Sequence, residues 1–363
     1  MSSYAESIQL AAWRRLKKNR GAVLGMVIII LTLLTAVFGY FLAPDGSPDA
    51  NRMIVEIGGL KPGKQQMFYK VKKERPPVRR SFIQRLIYGQ EDGFSYMPVK
   101  RYLDRGNVIV IEKYIDEDVY DTLSVPRSVL AAPLGSNFTT TTYLLGTDKY
   151  GRDILSRLLL GSRVSLSVGA IAIIISLTIG VILGAAAGYF RGRTDNVIMW
   201  LINVIWSIPT LLLVFAITFL LGKGFWQVFV AVGLTMWVSV ARIVRGQILS
   251  VRKREYVEAA RALGFSDLRI ITRHILPNIA GPIIVIAASN FASAIVIEAG
   301  LSFLGVGVQP PQPSWGMMIK ENYNFIITNN PMLALAPGFA IMLLVLAFNL
   351  LGNGLRDALD VKG

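Results

Sequence analysis

The chain has 363 residues, 53% of them hydrophobic, with a mean hydropathy of +0.50 and no cysteine. So apolar a composition excludes an ordinary soluble domain, and the missing thiols exclude disulfides and thiolate chemistry. The formal net charge is +15, yet residues 45–150 carry 16 Lys/Arg against 13 Asp/Glu. Most of the surplus therefore lies beside apolar segments, as topology determinants do, and basic-aromatic nucleic-acid signatures are missing.

Residues 1–20 set Arg14, Arg15, Lys17, Lys18 and Arg20 on a helical pattern with Leu10, Trp13 and Leu16, which reads as a cytoplasmic amphipathic lead-in. A first membrane span is expected at 22–43. The run is long for a cleaved signal peptide, and no small-x-small site precedes Pro44. A polar insert occupies 44–144. Segments 53–57, 66–71, 107–113 and 119–125 are rich in Val, Ile and Tyr with turn residues between them, so short strands are expected there. Gly58 to Gln65 spells G-x-x-x-x-G-K, but Gln65 stands where a P-loop needs a hydroxyl for Mg²⁺. Pro62 also lacks the backbone donor a phosphate cradle uses, so the stretch is expected to be a turn.

In Leu145-Gly146-Thr147-Asp148-Lys149-Tyr150-Gly151-Arg152-Asp153, Asp148 and Gly151 suit a turn. Arg152, Arg157 and Arg163 are expected to hold an interfacial helix at headgroup level by snorkelling. The second span, 164–188, carries Gly180, Gly184 and Gly188, a ridge that permits close helix approach. A short loop with Arg191 and Arg193 leads to the third span, 196–221, where Pro209 predicts a kink. Gly222 to Gly224 form a tight turn. The fourth span, 226–244, ends at Arg242 and Arg245, which are expected to snorkel to the inner interface.

A charged interruption at 251–281 separates this span from the next. Tyr256, Ala259, Ala260 and Leu263 fall three or four apart and are expected to share one helix face, with Glu258 and Arg261 off it. Gly264 can take the left-handed conformation that ends a helix. Ser266 offers an N-cap oxygen, and Asp267 puts negative charge in the next first turn. Leu268, Ile271 and Ile275 give a second stripe, and Pro277 and Pro282 punctuate its end. The expectation is two short amphipathic helices joined by a glycine elbow at a membrane surface. A fifth span at 283–304, a Pro- and Gly-rich connection at 305–331 and a sixth span at 332–352 complete the chain. The proposed inner segments hold 17 Lys/Arg and the two short outer loops only Lys223 and Lys320, which puts both termini in the cytoplasm.

The 251–281 stretch resembles the EAA loop of permease subunits in binding-protein-dependent ABC importers. Glu258-Ala259-Ala260 is followed at the family spacing by Gly264, and Leu276-Pro277 close the pattern, with His274 where the family has Ile. The segments around Asp148–Arg157 and Gly305–Gly316 resemble the C-type subunit of dipeptide, oligopeptide and nickel permeases. The resemblance covers 1–43 loosely and 145–363 well, and leaves the insert out. It implies an all-α membrane protein of about six spans with the permease core at 145–363, and the inside N-terminus makes the small mixed or β-rich insert extracytoplasmic. It implies a bacterial inner-membrane location, a homologous second permease, two cytoplasmic ATPases that bind ATP and Mg, and an extracytoplasmic substrate-binding protein. Within the family, Tyr256, Glu258, Ala259, Ala260, Gly264, Asp267, Leu276 and Pro277 form the loop that docks to the ATPase. This chain itself is expected to be non-catalytic, with no cofactor and no nucleic acid, and lipid around it.

Glu298 is the only acidic residue deep within a predicted span. A charge there costs roughly 2.5–3.5 kcal/mol, so it must face protein or water. Two readings stand: with Ser302 it lines the translocation path, or it makes a structural hydrogen bond near the helix end. For Glu258 the competing reading to docking is a solvated helix face. His274, the only histidine, is a poor metal site without thiols or paired carboxylates and reads as a packed or interfacial residue. A secondary transporter or a membrane scaffold is the rival function; the former usually shows paired intramembrane charges and inverted repeats.

Overall fold

The computed structural model describes residues 12–116, 119–130, 133–222, 224–327 and 330–359. Leu10 of the lead-in, Lys223 of the charge count and residues 360–363 of the tail lie outside them. The helices are α1 (Arg20–Leu42), α2 (Phe82–Tyr88), α3 (Ile154–Phe190), α4 (Gly192–Trp206) and α5 (Thr210–Leu221). They continue as α6 (Phe225–Val251), α7 (Glu255–Ala262), α8 (Asp267–Leu304), α9 (Trp315–Asn322) and α10 (Met332–Leu359). Among them α1, α3, α6, α8 and α10 are long and apolar enough to cross a membrane, and α4 with α5 make a sixth candidate if the pair, bent by 92°, counts as one. The chain forms two units: Met1–Thr32 with Ser165–Gln309 and Ala340–Gly363, and Leu33–Val164 with Pro310–Phe339.

The first unit is helical. The glycine ridge of α3 does what its spacing predicts: a Cβ on Gly184 would sit 2.5 Å from the Ala241 carbonyl oxygen, and one on Gly188 2.9 Å from that of Arg245. The bare backbone lets α6 lie directly against α3. Pro209 does more than kink the third span. It takes an extended conformation (φ −53°, ψ 125°) and splits the segment into two helices, because the proline ring disfavours helical geometry in the preceding residue.

The second unit carries a five-stranded antiparallel sheet, β1 (Lys64–Lys72), β2 (Phe94–Asp104), β3 (Val108–Asp116), β4 (Val119–Pro126) and β5 (Phe138–Tyr143), in the order β4-β3-β2-β1-β5. Phe68 on β1 and Tyr143 on β5 pack with Ile54 and Ile57. The strand expected at 53–57 is instead a 3-10 turn at Val55–Ile57. Ile54 and Ile57 both point into the core, a spacing of three that alternation along a strand cannot give. β2 and β5 were not anticipated: Pro98 interrupts the pattern of β2, and β5 is mostly threonine. The P-loop-like stretch is a turn, with Gly59 and Gly63 at φ +78° and +79°, and a strand rather than a helix follows it.

The second span and the segment before it are one 37-residue helix, α3, instead of an interfacial helix and a separate span. The snorkelling expected of Arg152 and Arg157 is also corrected, since both are fully buried. Arg152 Nε donates to Asp148 Oδ2 at 2.6 Å and its Nη2 to Glu321 Oε2 at 2.7 Å, while Arg157 Nη2 lies 3.5 Å from the same Glu321 oxygen. Asp148 Oδ1 also accepts from the backbone N–H groups of Tyr150 and Arg152, closing the predicted turn. Acidic partners within reach make burial cheaper than a long reach to water would be. Arg163 turns to the carbonyls of Leu86 and Ile87.

Candidate functional site

The charged loop begins where α6 ends and Arg254 turns extended before α7. Its elbow is a Schellman motif: Gly264 N–H donates to Arg261 O at 3.0 Å, Phe265 N–H to Ala260 O at 3.2 Å, and Gly264 has φ +76°. Ser266 occupies the N-cap position of α8, but its side chain makes no capping bond. Asp267 instead accepts from the Tyr189 hydroxyl at 2.6 Å. The elbow is therefore tied to the end of α3. Arg252 Nη1 donates to the Tyr189 carbonyl at 2.7 Å, so one residue anchors both sides of the loop.

The buried face of α7 differs from the predicted stripe. Val257 and Ala260 are enclosed against Ala185, Val244, Ile248, Ile270, Ile271 and Ile275, whereas Ala259 is exposed, Tyr256 is 41% exposed and Leu263 73%. The inward face is rotated toward Val257 and shares only Ala260 with the expected set. Leu268 likewise points outward, 72% exposed, while Ile271 and Ile275 are buried as expected. The result is an apolar outer surface edged by Glu255 and Glu258 that no other described residue covers. Such patches mark protein contacts.

Pro277 does not end the second helix. The chain widens to a π turn at Ile271–Ile275, tightens to a 3-10 turn at Leu276–Ile279 and continues into Ala280–Leu304. Proline lacks an N–H and crowds the carbonyl four residues back, and the π turn relieves both faults without breaking the rod. The loop's second helix and the fifth span are thus one element, α8. His274 packs on the Phe265 ring, 5.8 Å between centroids and 20° from parallel. Among the described residues no group of three or more His, Asp or Glu side chains converges to hold a metal.

A cavity of about 320 Å³ lies in the same unit at the break between α4 and α5. Trp206, Thr210, Thr235, Ser239, Asn290 and Ser293 are among its lining residues. Ser239 Oγ and Asn290 Nδ2 are hydrogen-bonded across α6 and α8 at 3.3 Å. The Arg242 guanidinium stacks on the Trp206 ring at 3.6 Å and donates to Asn203 Oδ1. Arg245 pairs with Asp195 through two bonds of 2.5 and 2.7 Å.

Residues 176–362 match the family model described as the binding-protein-dependent transport system inner membrane component. The chain belongs to this family of ABC-importer permease subunits. Residues 9–57 of the permease also match the N-terminal transmembrane domain of oligopeptide transport permease C. The region between, 58–175, lies outside both matches. The glutathione transport system permease of Pectobacterium atrosepticum is 43% identical over 223 residues, covering 61% of this chain and 74% of the relative. The dipeptide transport system permease of Bacillus subtilis is 44% identical over 217 residues, covering 60% and 68%. The oligopeptide transport system permease of the same organism is 41% identical over 217 residues, covering 60% and 71%. The inward-facing MetNI methionine ABC transporter aligns at TM-score 0.48 and 18% identity, over 56% of this chain and 95% of that one.

In this permease the two segments that carry the peptide-permease resemblance meet. Trp315 Nε1 donates to Leu158 O at 2.9 Å, and a Cβ on Gly161 would lie 2.7 Å from the Trp315 ring. Glu298 and Ser302 are both fully buried. Ser302 Oγ donates to Glu298 Oε1 at 2.6 Å and accepts from Val308 N–H at 3.1 Å, so the pair braces the turn that ends α8. The cavity is lined by Ile297 and not by Glu298. Sequence reasoning missed Tyr189, Ser239 and Asn290. The two polar residues at membrane depth, Ser239 and Asn290, were the available signal, since buried polar groups there require partners.

Proposed function

We propose that this permease forms half of the translocation path of an ATP-driven importer for peptides or similar small solutes, in a bacterial inner membrane with both termini in the cytoplasm. The observation that carries the reading is the uncovered apolar surface of Tyr256, Ala259, Leu263 and Leu268, held on a glycine elbow and continuous with a membrane-spanning rod. Such a surface takes a partner's push and passes it to the fifth span, because α8 runs from the elbow into that span as one element. The partners are two ATPase subunits, which bind ATP and Mg, a homologous second permease and an extracytoplasmic binding protein. The permease itself catalyses nothing. Peptides are supported by relatives whose names specify dipeptide, oligopeptide and glutathione transport. The cavity at Ser239 and Asn290 is the candidate solute contact, because its hydrogen-bonding groups suit amide-bearing cargo. Co-purification tests the reading. The chain should bring down ATPase subunits, and reconstituted vesicles should take up peptides only with ATP. Uptake driven by an ion gradient without an ATPase would refute it.

A further inference from the structure

The second unit contains a short helix with an unusual surface. α2 has a complete capping box, in which Gln84 N–H donates to Ser81 Oγ and Ser81 N–H to Gln84 Oε1, so its first turn is satisfied without a buried face. None of its residues is buried: Phe82 is 67% exposed, Ile83 66% and Tyr88 60%. Exposing this much apolar surface to water costs roughly 25 cal/mol per Å² and calls for a cover. The flanking sequence is strongly basic, with seven Lys/Arg and a single acid, Glu74, in residues 70–85.

What covers the helix follows from where it is fixed. Phe82 stacks on Phe41 in the last turn of α1 with 5.2 Å between ring centroids, and the Arg85 guanidinium sits 4.7 Å from that same ring. Arg163 of α3 donates to the Leu86 and Ile87 carbonyls at 2.7 and 3.1 Å. α2 therefore lies at the end of the first membrane span and against the second. On α1 the residues Leu34, Phe38 and Leu42 form an exposed stripe, spaced by one helical turn, that runs to this same end. The uncovered face of α2 continues the exposed apolar stripe of the span.

We infer that α2 and its basic approach are an interfacial anchor that inserts Phe82, Ile83 and Ile87 into the edge of the bilayer. Exposed Arg79 and Arg85 then meet anionic headgroups. The inference rests on α1 and α3 spanning a membrane and not on what the permease carries. Depth is set by the span to which α2 is stacked, and Tyr88 takes the place of an interfacial aromatic.

The native chain lacks cysteine, so single nitroxide labels can be placed on it cleanly. Ile83→Cys and Ile87→Cys variants of the full chain, reconstituted in phosphatidylcholine–phosphatidylglycerol vesicles, are compared with Val119→Cys on β4. Collisional relaxation by oxygen and by a water-soluble nickel chelate, present on both sides, reads the depth. Labels at 83 and 87 should lose nickel accessibility relative to 119 and gain oxygen accessibility. In the double variant Arg79→Glu/Arg85→Glu, or in neutral lipid, they should move shallower. Nickel accessibility equal to that at 119 would overturn the inference in favour of water. Shielding from both reagents would overturn it in favour of a protein cover, such as the second permease or the binding protein.

Discussion

Tyr189 and Asp267 are 78 residues apart in the chain, and their side-chain oxygens are 2.6 Å apart. The bond joins the end of α3 to the first residue of α8, so it fixes the elbow to the body that must move with it. Arg261 adds a weaker contact to the same hydroxyl at 3.5 Å. Tyr189→Phe deletes the donor and keeps the ring. A hydrogen bond to a charged group contributes about 1.5–3 kcal/mol, so the loop should open roughly tenfold or more often. Amide exchange in 255–275 should accelerate while exchange in α6 stays unchanged. Transport per ATP hydrolysed should fall.

At Gly264 the cost of substitution is conformational. A Cβ there meets nothing within 4 Å, so no clash contributes, but φ is +76°. A β-branched residue is strained in this region by roughly 1–2 kcal/mol, whereas Asn tolerates it. Gly264→Val should loosen the elbow and uncouple ATP hydrolysis from uptake, and Gly264→Asn should retain most coupling. Equal coupling in the two variants would mean that the left-handed conformation is irrelevant.

Much of this loop was legible because its signals are local. A glycine separated by three residues from Glu258-Ala259-Ala260 needs no tertiary information to be read as a helix stop. Which face of α7 turns inward does need it. Val257 and Leu263 are both apolar, and only the hydrophobic wall of α3 and α6 selects the first. The spans were legible from hydropathy, but Arg152 and Arg157 were misplaced because their partner Glu321 lies far along the chain. Asp148, four residues before Arg152, is a local partner, but nothing near Arg157 in sequence points to a buried pair. β2 was hidden by Pro98, which a central strand rarely accommodates; the register shift between Val99 and Arg101 follows just after it.

Ser239 and Asn290 make the cavity polar at membrane depth. Asn290→Leu keeps the volume close and removes hydrogen-bonding capacity, leaving Ser239 its bond to the Met236 carbonyl at 2.9 Å. The protein should stay folded, because Ser239 remains satisfied. Uptake of a peptide should fall several-fold, since an unmade hydrogen bond to a desolvated amide costs about 1–3 kcal/mol. The stimulation of ATPase activity by the loop should not change. Unaltered uptake would exclude this cavity from the path.

The insert carries a pH signature at Tyr96. Burial, followed by the hydrogen bond it donates to Asp92, pushes the hydroxyl from 10.0 up to about 12. The folded insert holds the phenol protonated more tightly than the unfolded chain does. The corresponding stability is fully present below pH 10 and is lost as pH rises from about 10 through 12. Thermal melts in detergent between pH 9 and 11 should show a decline that Tyr96→Phe flattens.

Glu321 holds two buried arginines, Arg152 at 2.7 Å and Arg157 at 3.5 Å. Arg152 retains Asp148 if Glu321 is neutralised, but Arg157 then loses the carboxylate it pairs with. Removing one partner of a buried ion pair costs about 3–5 kcal/mol, most of it the penalty of an uncompensated charge. Glu321→Gln should therefore lower the melting temperature sharply. Arg157→Met removes the stranded charge while filling similar volume, so adding it to Glu321→Gln should restore much of the loss. Two additive destabilisations would show that Arg157 is held by other groups. Recovery in the double variant would locate the cost in the charge itself and make the Glu321 carboxylate the element that joins the start of α3 to α9.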